Sequence, residues 1–451
     1  MKNTIQFAAI LLPFLGFSQI QGTWKGDIQI PMQKLPFVIH IDQINNEWIG
    51  EGESPAQTNQ KIKFETVSFR NDTLKISEPR LGMNYVGVLK DKSRIEGKFS
   101  QRGMSFTLNL ERGEYKINRP QTPQPPFLYQ SNDITFLNNK AKINLAGTIT
   151  RPEGKGKFPA IVFVTGSGPQ DRDESLMEHK PFLVLADYLT KNGYVVLRYD
   201  DRGVGKSEGD FENATSYDFA DDAEAAIAYL KKQDYVDVKK IGVLGHSEGG
   251  MIAQIIAAKN KDIDFIISLA GPGIANSELM LDQKSEIERK MGIPELTVKM
   301  NEQVFGNIYS ILKKDIEPKE AEAEIRSYLK AHSVYKNVPE KDLKSLTDLV
   351  YEKWFRTFIS YDPKVNLNKI KAKVFAINGE NDVQVLAKDN LEGWKNGLAH
   401  NKNVTIKSYP KLNHLFQESK TGMPDEYQNI ETTIESFVLE DIKNWLNQNI
   451  K

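Results

Sequence analysis

Ile241-Gly-Val-Leu-Gly245-His246-Ser247-Glu248-Gly249-Gly-Met-Ile-Ala-Gln-Ile-Ile256 is the stretch on which the reading of this chain turns. An apolar run ends in Gly-x-Ser-x-Gly, and a second apolar run of helical character follows at once. This is the pattern of a buried strand, a sharp turn and a buried helix. A serine at such a turn is held in a strained conformation, and the flanking glycines remove side chains that would collide where strand and helix crowd together. The helix N-terminus behind it presents N–H groups and partial positive charge, which favour developing negative charge. Ser247 is therefore the candidate nucleophile, and the backbone N–H of Glu248 is one candidate donor to an oxyanion.

On both sides of this turn, strands and helices alternate. Ala160–Thr165, Tyr194–Tyr199, Lys240–Leu244, Phe265–Leu269, Val374–Ile377 and Val404–Tyr409 read as strands, and Pro181–Asn192 and Asp218–Lys232 as helices between them. The alternation implies a mostly parallel sheet flanked by helices. One stretch departs from it. Between about 275 and 370 the chain is charged and rich in helix signals, with candidate helices at Met280–Met291, Glu295–Leu312, Pro318–Ala331 and Pro339–Phe358. It reads as a helical cap inserted between two core strands.

A serine hydroxyl needs an adjacent base, and the base needs an acid to orient it. Downstream of a strand-to-helix nucleophile the acid comes first in the chain and the histidine second. Only His332, His400 and His414 follow Ser247. His332 falls in the cap and His400 precedes the last strand. His414 lies in Leu412-Asn413-His414-Leu415-Phe416, in the loop after that strand, and is the candidate base. The acid is sought after the preceding strand, in Gly379-Glu380-Asn381-Asp382-Val383; Asp382 is the candidate, with Glu380 and Asp389 as neighbours. A second oxyanion donor is expected from the loop after an earlier strand. Thr165-Gly166-Ser167-Gly168-Pro169 supplies it, through the backbone N–H of Ser167 or alternatively of Gly168.

Asp200-Asp201-Arg202-Gly203-Val204-Gly205-Lys206-Ser207 hints at a phosphate loop, but Asp200 stands where the motif requires its first glycine. A nucleotide site is rejected, and the turn is read as a brace for the loops around the catalytic face.

The N-terminal part is different in kind. Short alternating segments at Thr23–Ile30, Phe37–Ile41, Glu47–Gly52, Lys63–Phe69, Thr73–Ile76, Asn84–Leu89, Ile95–Phe99 and Ser105–Leu110 are separated by turn residues such as Asn45-Asn46 and Asn71-Asp72. They predict a small antiparallel β domain over 19–117. Its opening Gly22-Thr23-Trp24 resembles the start of lipocalin-like strands; a tryptophan that simply closes one end of a β core is the favoured account. Residues 118–130 carry four prolines between Arg119 and Pro126 and read as a stiff linker. Residues 1–18, with Lys2 ahead of the apolar run Ile5–Phe17 and small residues at Gly16 and Ser18, read as an export signal, which places the mature protein in the periplasm or outside the cell. That run is too short for a stable membrane anchor.

Composition narrows the partners. With 59 basic and 60 acidic residues the net charge is −1, so nucleic acid has no electrostatic support. There is no cysteine, which excludes disulfides, thiolate metal sites and a cysteine nucleophile.

From about Ser131 to Lys451 the chain resembles an α/β hydrolase of the serine aminopeptidase and acyl esterase branch. The resemblance rests on Thr165-Gly-Ser-Gly-Pro, Asp200-Asp-Arg-Gly-Val-Gly-Lys-Ser, Gly245-His-Ser-Glu-Gly-Gly, Asp382 within Gly-Glu-Asn-Asp-Val-Gln-Val, and Leu412-Asn-His. It implies an eight-stranded, mostly parallel sheet and a Ser–Asp–His mechanism that needs neither metal nor cofactor. Thr165-Gly166 stands where many relatives carry His-Gly. The expected activity is hydrolysis of a small acyl ester, with short peptides as the alternative substrate and a lipid- or glycan-binding protein on a silent hydrolase scaffold as the alternative outside enzymology.

Overall fold

The computed structural model describes residues 20–30, 33–55, 61–114, 118–332 and 339–451. The expected export signal, residues 1–18, lies outside them. Two compact units divide the chain, Met1–Asn118 and Arg119–Lys451.

The first unit is an antiparallel sheet of ten strands: β1 (Gly22–Ile30), β2 (Gln33–Ile44), β3 (Glu47–Glu53), β4 (Ile62–Lys63), β5 (Thr66–Arg70), β6 (Thr73–Glu78), β7 (Met83–Asp91), β8 (Arg94–Gln101), β9 (Met104–Thr107) and β10 (Leu110–Arg112). Their order is β4-β3-β2-β1-β10-β8-β7-β6-β5, with β9 paired to β8. Asn45-Asn46 and Asn71-Asp72 take left-handed conformations, with φ of 51° and 67° and of 48° and 57°. These are the angles of the two-residue turns whose twist matches paired strands, and Asn and Asp tolerate them. The sheet curls around a side-chain core that includes Trp24, Ile39, Leu74, Tyr85 and Ile95. Trp24 is fully buried, and its indole N–H donates to the Ile20 carbonyl at 2.8 Å.

Two expected segments each divide in two. Lys63–Phe69 becomes β4 and β5 because its two ends pair differently: Lys63 and Phe64 follow β3, with the Phe64 N–H bonding to the Gly50 carbonyl at 3.0 Å, and Thr66–Arg70 pair with β6. Ser105–Leu110 divides where the N–H of buried Leu108 bonds to the Gly97 carbonyl, also at 3.0 Å.

The second unit holds an eight-stranded sheet: β11 (Gln130–Asn138), β12 (Ile143–Arg151), β13 (Phe158–Val164), β14 (Val195–Tyr199), β15 (Val236–His246), β16 (Phe265–Leu269), β17 (Lys373–Gly379) and β18 (Val404–Tyr409). The order is β11-β12-β14-β13-β15-β16-β17-β18. Six strands, β13 to β18, run parallel, while β11 and β12 pair antiparallel at one edge. The sheet is an α/β-hydrolase sheet. Helices α1 (Pro181–Lys191), α2 (Ser216–Leu230) and α3 (Glu248–Lys259) follow β13, β14 and β15. Val184, Leu185 and Leu189 of α1 bury against one face of the sheet, and α2 and α3 bury against the other. The proline-rich stretch is not a free spacer at its start. The Arg119 guanidinium donates to the carbonyls of Met177 and Ile430, each at 2.8 Å, and the Gln121 amide donates to the Ile434 carbonyl at 2.7 Å.

Between β16 and β17 lie α4 (Asn276–Lys290), α5 (Glu295–Leu312), α6 (Pro318–Ala331), α7 (Glu340–Asp348), α8 (Lys353–Ile359) and α9 (Lys364–Leu367). Val304, Ile308, Ile325, Leu329 and Phe355 give this insertion an apolar core of its own. The expected helix Pro339–Phe358 is broken: Glu352 is extended, with φ −78° and ψ 95°, between α7 and α8. Two further helices, α10 (Ala387–Gly397) and α11 (Ser436–Asn449), flank β17 and β18.

After β13 the chain crosses to one side for β14, then returns past β13 to the other side for β15. The loops leaving β13 and β15 therefore diverge at their carboxyl ends, and a crevice opens there. The turn at Ser247 sits in it. Its φ of 53° and ψ of −118° are strained for a residue with a side chain, at a cost of about 1–3 kcal/mol. Hydrogen bonds hold it, from the Ser247 N–H to the Leu269 carbonyl at 2.8 Å and from the Gly250 N–H to the Ser247 carbonyl at 2.9 Å. The two motif glycines have steric reasons. A Cβ on Gly245 would lie 2.0 Å from the Gly249 oxygen, and one on Gly249 would lie 2.1 Å from the Val164 oxygen. Both obstacles are backbone and cannot swing aside.

Gly249→Ala is therefore expected to lower stability by about 1–3 kcal/mol or more, as forced overpacking does. Urea unfolding followed by circular dichroism measures it, and an unchanged midpoint would contradict this packing.

Candidate active site

Ser247, Glu248, Ser167, Gly166 and His414 line one cavity of about 380 Å³ at the carboxyl edge of the sheet. Each arrives on a different element: Gly166 and Ser167 on the loop after β13, Ser247 and Glu248 at the start of α3, and His414 on the loop after β18. Asp382, on the loop after β17, lies behind His414. Its Oδ2 is 2.7 Å from His414 Nδ1, with the Asp382 side chain fully buried and that of His414 5% exposed. Asp382 Oδ1 accepts the backbone N–H groups of Gln384 at 2.7 Å and Val385 at 2.9 Å, so the carboxylate cannot rotate away from the ring.

The other candidates fall elsewhere. His400 Nε2 bonds to the Ile370 carbonyl at 3.0 Å, and His332 sits beside Tyr328 at the end of α6. Glu380 accepts the Ser408 hydroxyl at 2.7 Å on the exposed flank of the sheet. Asp389 lies in the first turn of α10.

The Gly166 N–H donates to Glu174 Oε1 at 2.8 Å. Among the described residues no hydrogen bond engages the backbone N–H of Ser167 or of Glu248. These are the two donors expected for an oxyanion.

The loop is held from beneath by the turn that mimics a phosphate loop. Asp201 Oδ1 accepts the Thr165 hydroxyl at 2.9 Å, and its Oδ2 accepts the Gln170 N–H at 3.0 Å. Asp200 accepts the Arg172 guanidinium at 2.9 and 2.8 Å, and also the Lys206 N–H at 3.1 Å. A carboxylate of the chain itself thus occupies the N–H group that a phosphate would need. Arg202 in turn pairs with buried Asp222 at 2.7 Å.

Glu248 is buried and faces neutral donors. Its Oε1 accepts the Ser216 hydroxyl at 2.6 Å and the Trp354 indole N–H of α8 at 2.9 Å, and the Ser167 hydroxyl reaches the same carboxyl. Burial pushes this carboxyl above the usual glutamate range, against the pull of those three bonds. Through Trp354 the cap is fastened to the residue beside the nucleophile, and Leu279, Met280 and Phe358 of the cap complete the cavity wall. Among the described residues no group of three or more His, Asp or Glu side chains is placed to hold a metal ion.

Residues 142–409 match the family model of the X-Pro dipeptidyl-peptidases, S15 family. The chain belongs to this family. Its class of chemistry is serine hydrolysis. Among curated proteins, Esterase EstD of Thermotoga maritima is 30% identical over 322 residues, covering 71% of this chain and 68% of that protein. The human mitochondrial palmitoyl-protein thioesterase ABHD10 is 28% identical over 195 residues, covering 42% of this chain and 58% of its own length. Among solved structures, the Pyrococcus furiosus esterase Pf2001 aligns with a TM-score of 0.46 at 17% identity, over 75% of this chain and 100% of that one.

Three buried groups around the site carried no signal of their own in the sequence: Glu174, His246 and His179. His179 is fully buried, with Nδ1 2.9 Å from the Thr433 hydroxyl and Nε2 3.0 Å from the Tyr427 carbonyl. It braces the segment that follows the His414 loop, and Tyr427 also lines the cavity. Burial pushes the His179 imidazole down to about 4.

An imidazole whose pKa is depressed on folding contributes stability above the ordinary histidine value of 6.5. That contribution is lost as pH falls toward 4, because the unfolded chain takes up the proton first. Up to about 3 kcal/mol should disappear across this window. Chemical denaturation at pH 7 and pH 4.5 measures it; a His179→Gln variant should show a shallower pH dependence, and an identical slope would contradict the account.

Proposed function

We propose that this chain hydrolyses neutral carboxylic esters through an acyl-enzyme on Ser247. His414 takes the Ser247 proton as the hydroxyl attacks the acyl carbon, while Asp382 steadies the imidazolium that forms. The tetrahedral oxyanion is received by the N–H groups of Ser167 and Glu248. Its collapse breaks the ester bond, and His414 returns the proton to the departing alcohol. Water, deprotonated by His414, then attacks the acyl group and releases the acid with Ser247 restored.

The observation that carries this reading is the 2.7 Å contact between His414 and Asp382, in a cavity that also exposes the strained Ser247. The choice of ester rests on the cavity's carboxylates. A peptidase that removes N-terminal dipeptides must grip an ammonium group. Two glutamates line the wall, and both are engaged: Glu174 with the Gly166 N–H and His246, Glu248 with Ser216, Trp354 and Ser167. The remaining wall brings no further carboxylate: Leu176, Leu415 and Val385 are apolar, Gln170 and Gln384 are amides, and Tyr427 brings a phenol. Esterase EstD, named above, agrees in substrate class.

One observation favours the second reading, a peptidase for short peptides. Every partner of Glu248 is a neutral donor, so its charge is left for a cation to balance. The family's description points the same way. We also propose that residues 1–18 export the chain to the periplasm or beyond.

Purified protein is assayed on p-nitrophenyl butyrate and on glycyl-prolyl-p-nitroanilide, beside Ser247→Ala. Ester turnover is expected to exceed nitroanilide turnover and to fall by roughly 10⁶ in the variant. Preference for the nitroanilide would establish the peptidase reading, and turnover retained by Ser247→Ala would remove Ser247 from the mechanism.

A further inference from the structure

His246 is the last residue of β15 and the neighbour of Ser247, and it borders the same cavity, yet both ring nitrogens are bonded to the protein. Its Nε2 is 3.0 Å from the backbone carbonyl of His414, and its Nδ1 is 2.9 Å from Glu174 Oε1. That same Oε1 accepts the Gly166 N–H at 2.8 Å. The side chains of His246 and Glu174 are 9% and 7% exposed. Glu174 adopts a left-handed φ of 53°, a strained conformation of the kind that persists only where the surroundings impose it.

A carbonyl can only accept, so Nε2 must carry a proton. At 2.9 Å two facing lone pairs would repel, so a proton also lies between Nδ1 and Oε1, and with Oε1 already accepting the Gly166 N–H we place it on the more basic ring nitrogen. Both ring nitrogens are then donors, which only the imidazolium can provide.

We propose that Glu174 and His246 form a buried carboxylate–imidazolium pair whose charge state positions the reacting groups. Through Gly166 it fixes the loop that presents Ser167. Through the His414 carbonyl it fixes the backbone of the base. Through its own place in the chain it fixes the turn of Ser247. These are positioning residues, acting through the bonds that engage their polar atoms. The proposal rests on the assignment of Ser247 and His414 above.

The titratable groups facing the His246 ring are Glu174 from the loop after β13, Asp382 from the loop after β17, and His414, whose ring centroid is 4.6 Å away. Burial alone would lower the His246 pKa; the Glu174 carboxylate outweighs it, with smaller help from the His414 carbonyl and Asp382, and holds the group above its ordinary value. A histidine raised in this way keeps its bonds at low pH and loses one as pH rises through its folded value. Turnover should therefore fall on the alkaline side.

Glu174→Gln tests this. The amide oxygen can still accept from Gly166, but without the carboxylate charge the ring becomes neutral and can donate from only one nitrogen. The expected result is a loss in kcat on the order of 100-fold, the scale of a small misplacement of catalytic groups. KM should change less than kcat, and the alkaline limb should be gone. Ser247→Ala in the same assay separates the two claims: if it abolishes turnover while Glu174→Gln keeps wild-type kcat and pH profile, the pair has no positioning role and the mechanism stands. Should Glu174→Gln fail to fold, side-chain ¹⁵N spectra of the wild-type histidines decide. At pH 7, where an ordinary imidazole is mostly neutral, His246 is expected to show two N–H groups and to lose one in step with the alkaline fall in kcat; a single N–H there would overturn the proposal.

Discussion

Ser247 stands at a φ of 53°, and everything at the carboxyl edge of the sheet is arranged around keeping it there. The turn is possible only because strand and helix approach at backbone distance, with the Gly249 position pressed against the Val164 carbonyl and the Gly245 position against the Gly249 carbonyl. Strain of this kind relaxes unless the surroundings forbid it. Here β13 and β16 forbid it, the first by packing and the second through the Leu269 carbonyl that takes the Ser247 N–H. A hydroxyl raised on such a turn, above a helix N-terminus, is aimed into the crevice rather than folded back onto its own backbone.

A raised serine is useful only if loops from distant parts of the chain meet it in register, and the structure joins them by buried polar and charged groups. Asp201 holds the loop after β13 through Thr165 and Gln170, Asp200 holds its middle through Arg172, and Arg202 anchors that brace to α2 through Asp222. Asp382 is fixed by two backbone N–H groups before it meets His414. Glu248 ties the cap to the nucleophile turn through Trp354. Removing one partner of such a buried pair exposes the other to an unpaid desolvation cost, so these links act together rather than singly.

The sequence made the core of this arrangement legible because the order of strand, turn and helix is local. Gly245-His-Ser-Glu-Gly between two apolar runs needs no distant information, and Asp382 and His414 follow from which strand each one leaves. The cap helices Glu295–Leu312 and Pro318–Ala331 were equally local, since each carries its own apolar stripe. The edge pair β11 and β12 was missed: Gln130-Ser-Asn-Asp at the start of β11 is polar and largely exposed, and gives no period-two signal. The split of Lys63–Phe69 depends on a change of partner from β3 to β6, which no reading of those seven residues contains. Glu174 and His246 lie 72 positions apart, and Glu248 and Trp354 lie 106 apart. Each looks like an ordinary loop, turn or helix residue until the sheet brings the partners together.

The central claim is that Ser247, among all the serines of the chain, is the activated nucleophile. Covalent labelling reads this without any assumption about the natural substrate. The purified protein is treated with a fluorophosphonate, and the modified residue is located by peptide mass spectrometry. One adduct per chain on Ser247, absent from Ser247→Ala and from His414→Ala, is the predicted result. An unlabelled wild-type protein that is folded, or an adduct on another serine, would contradict the account.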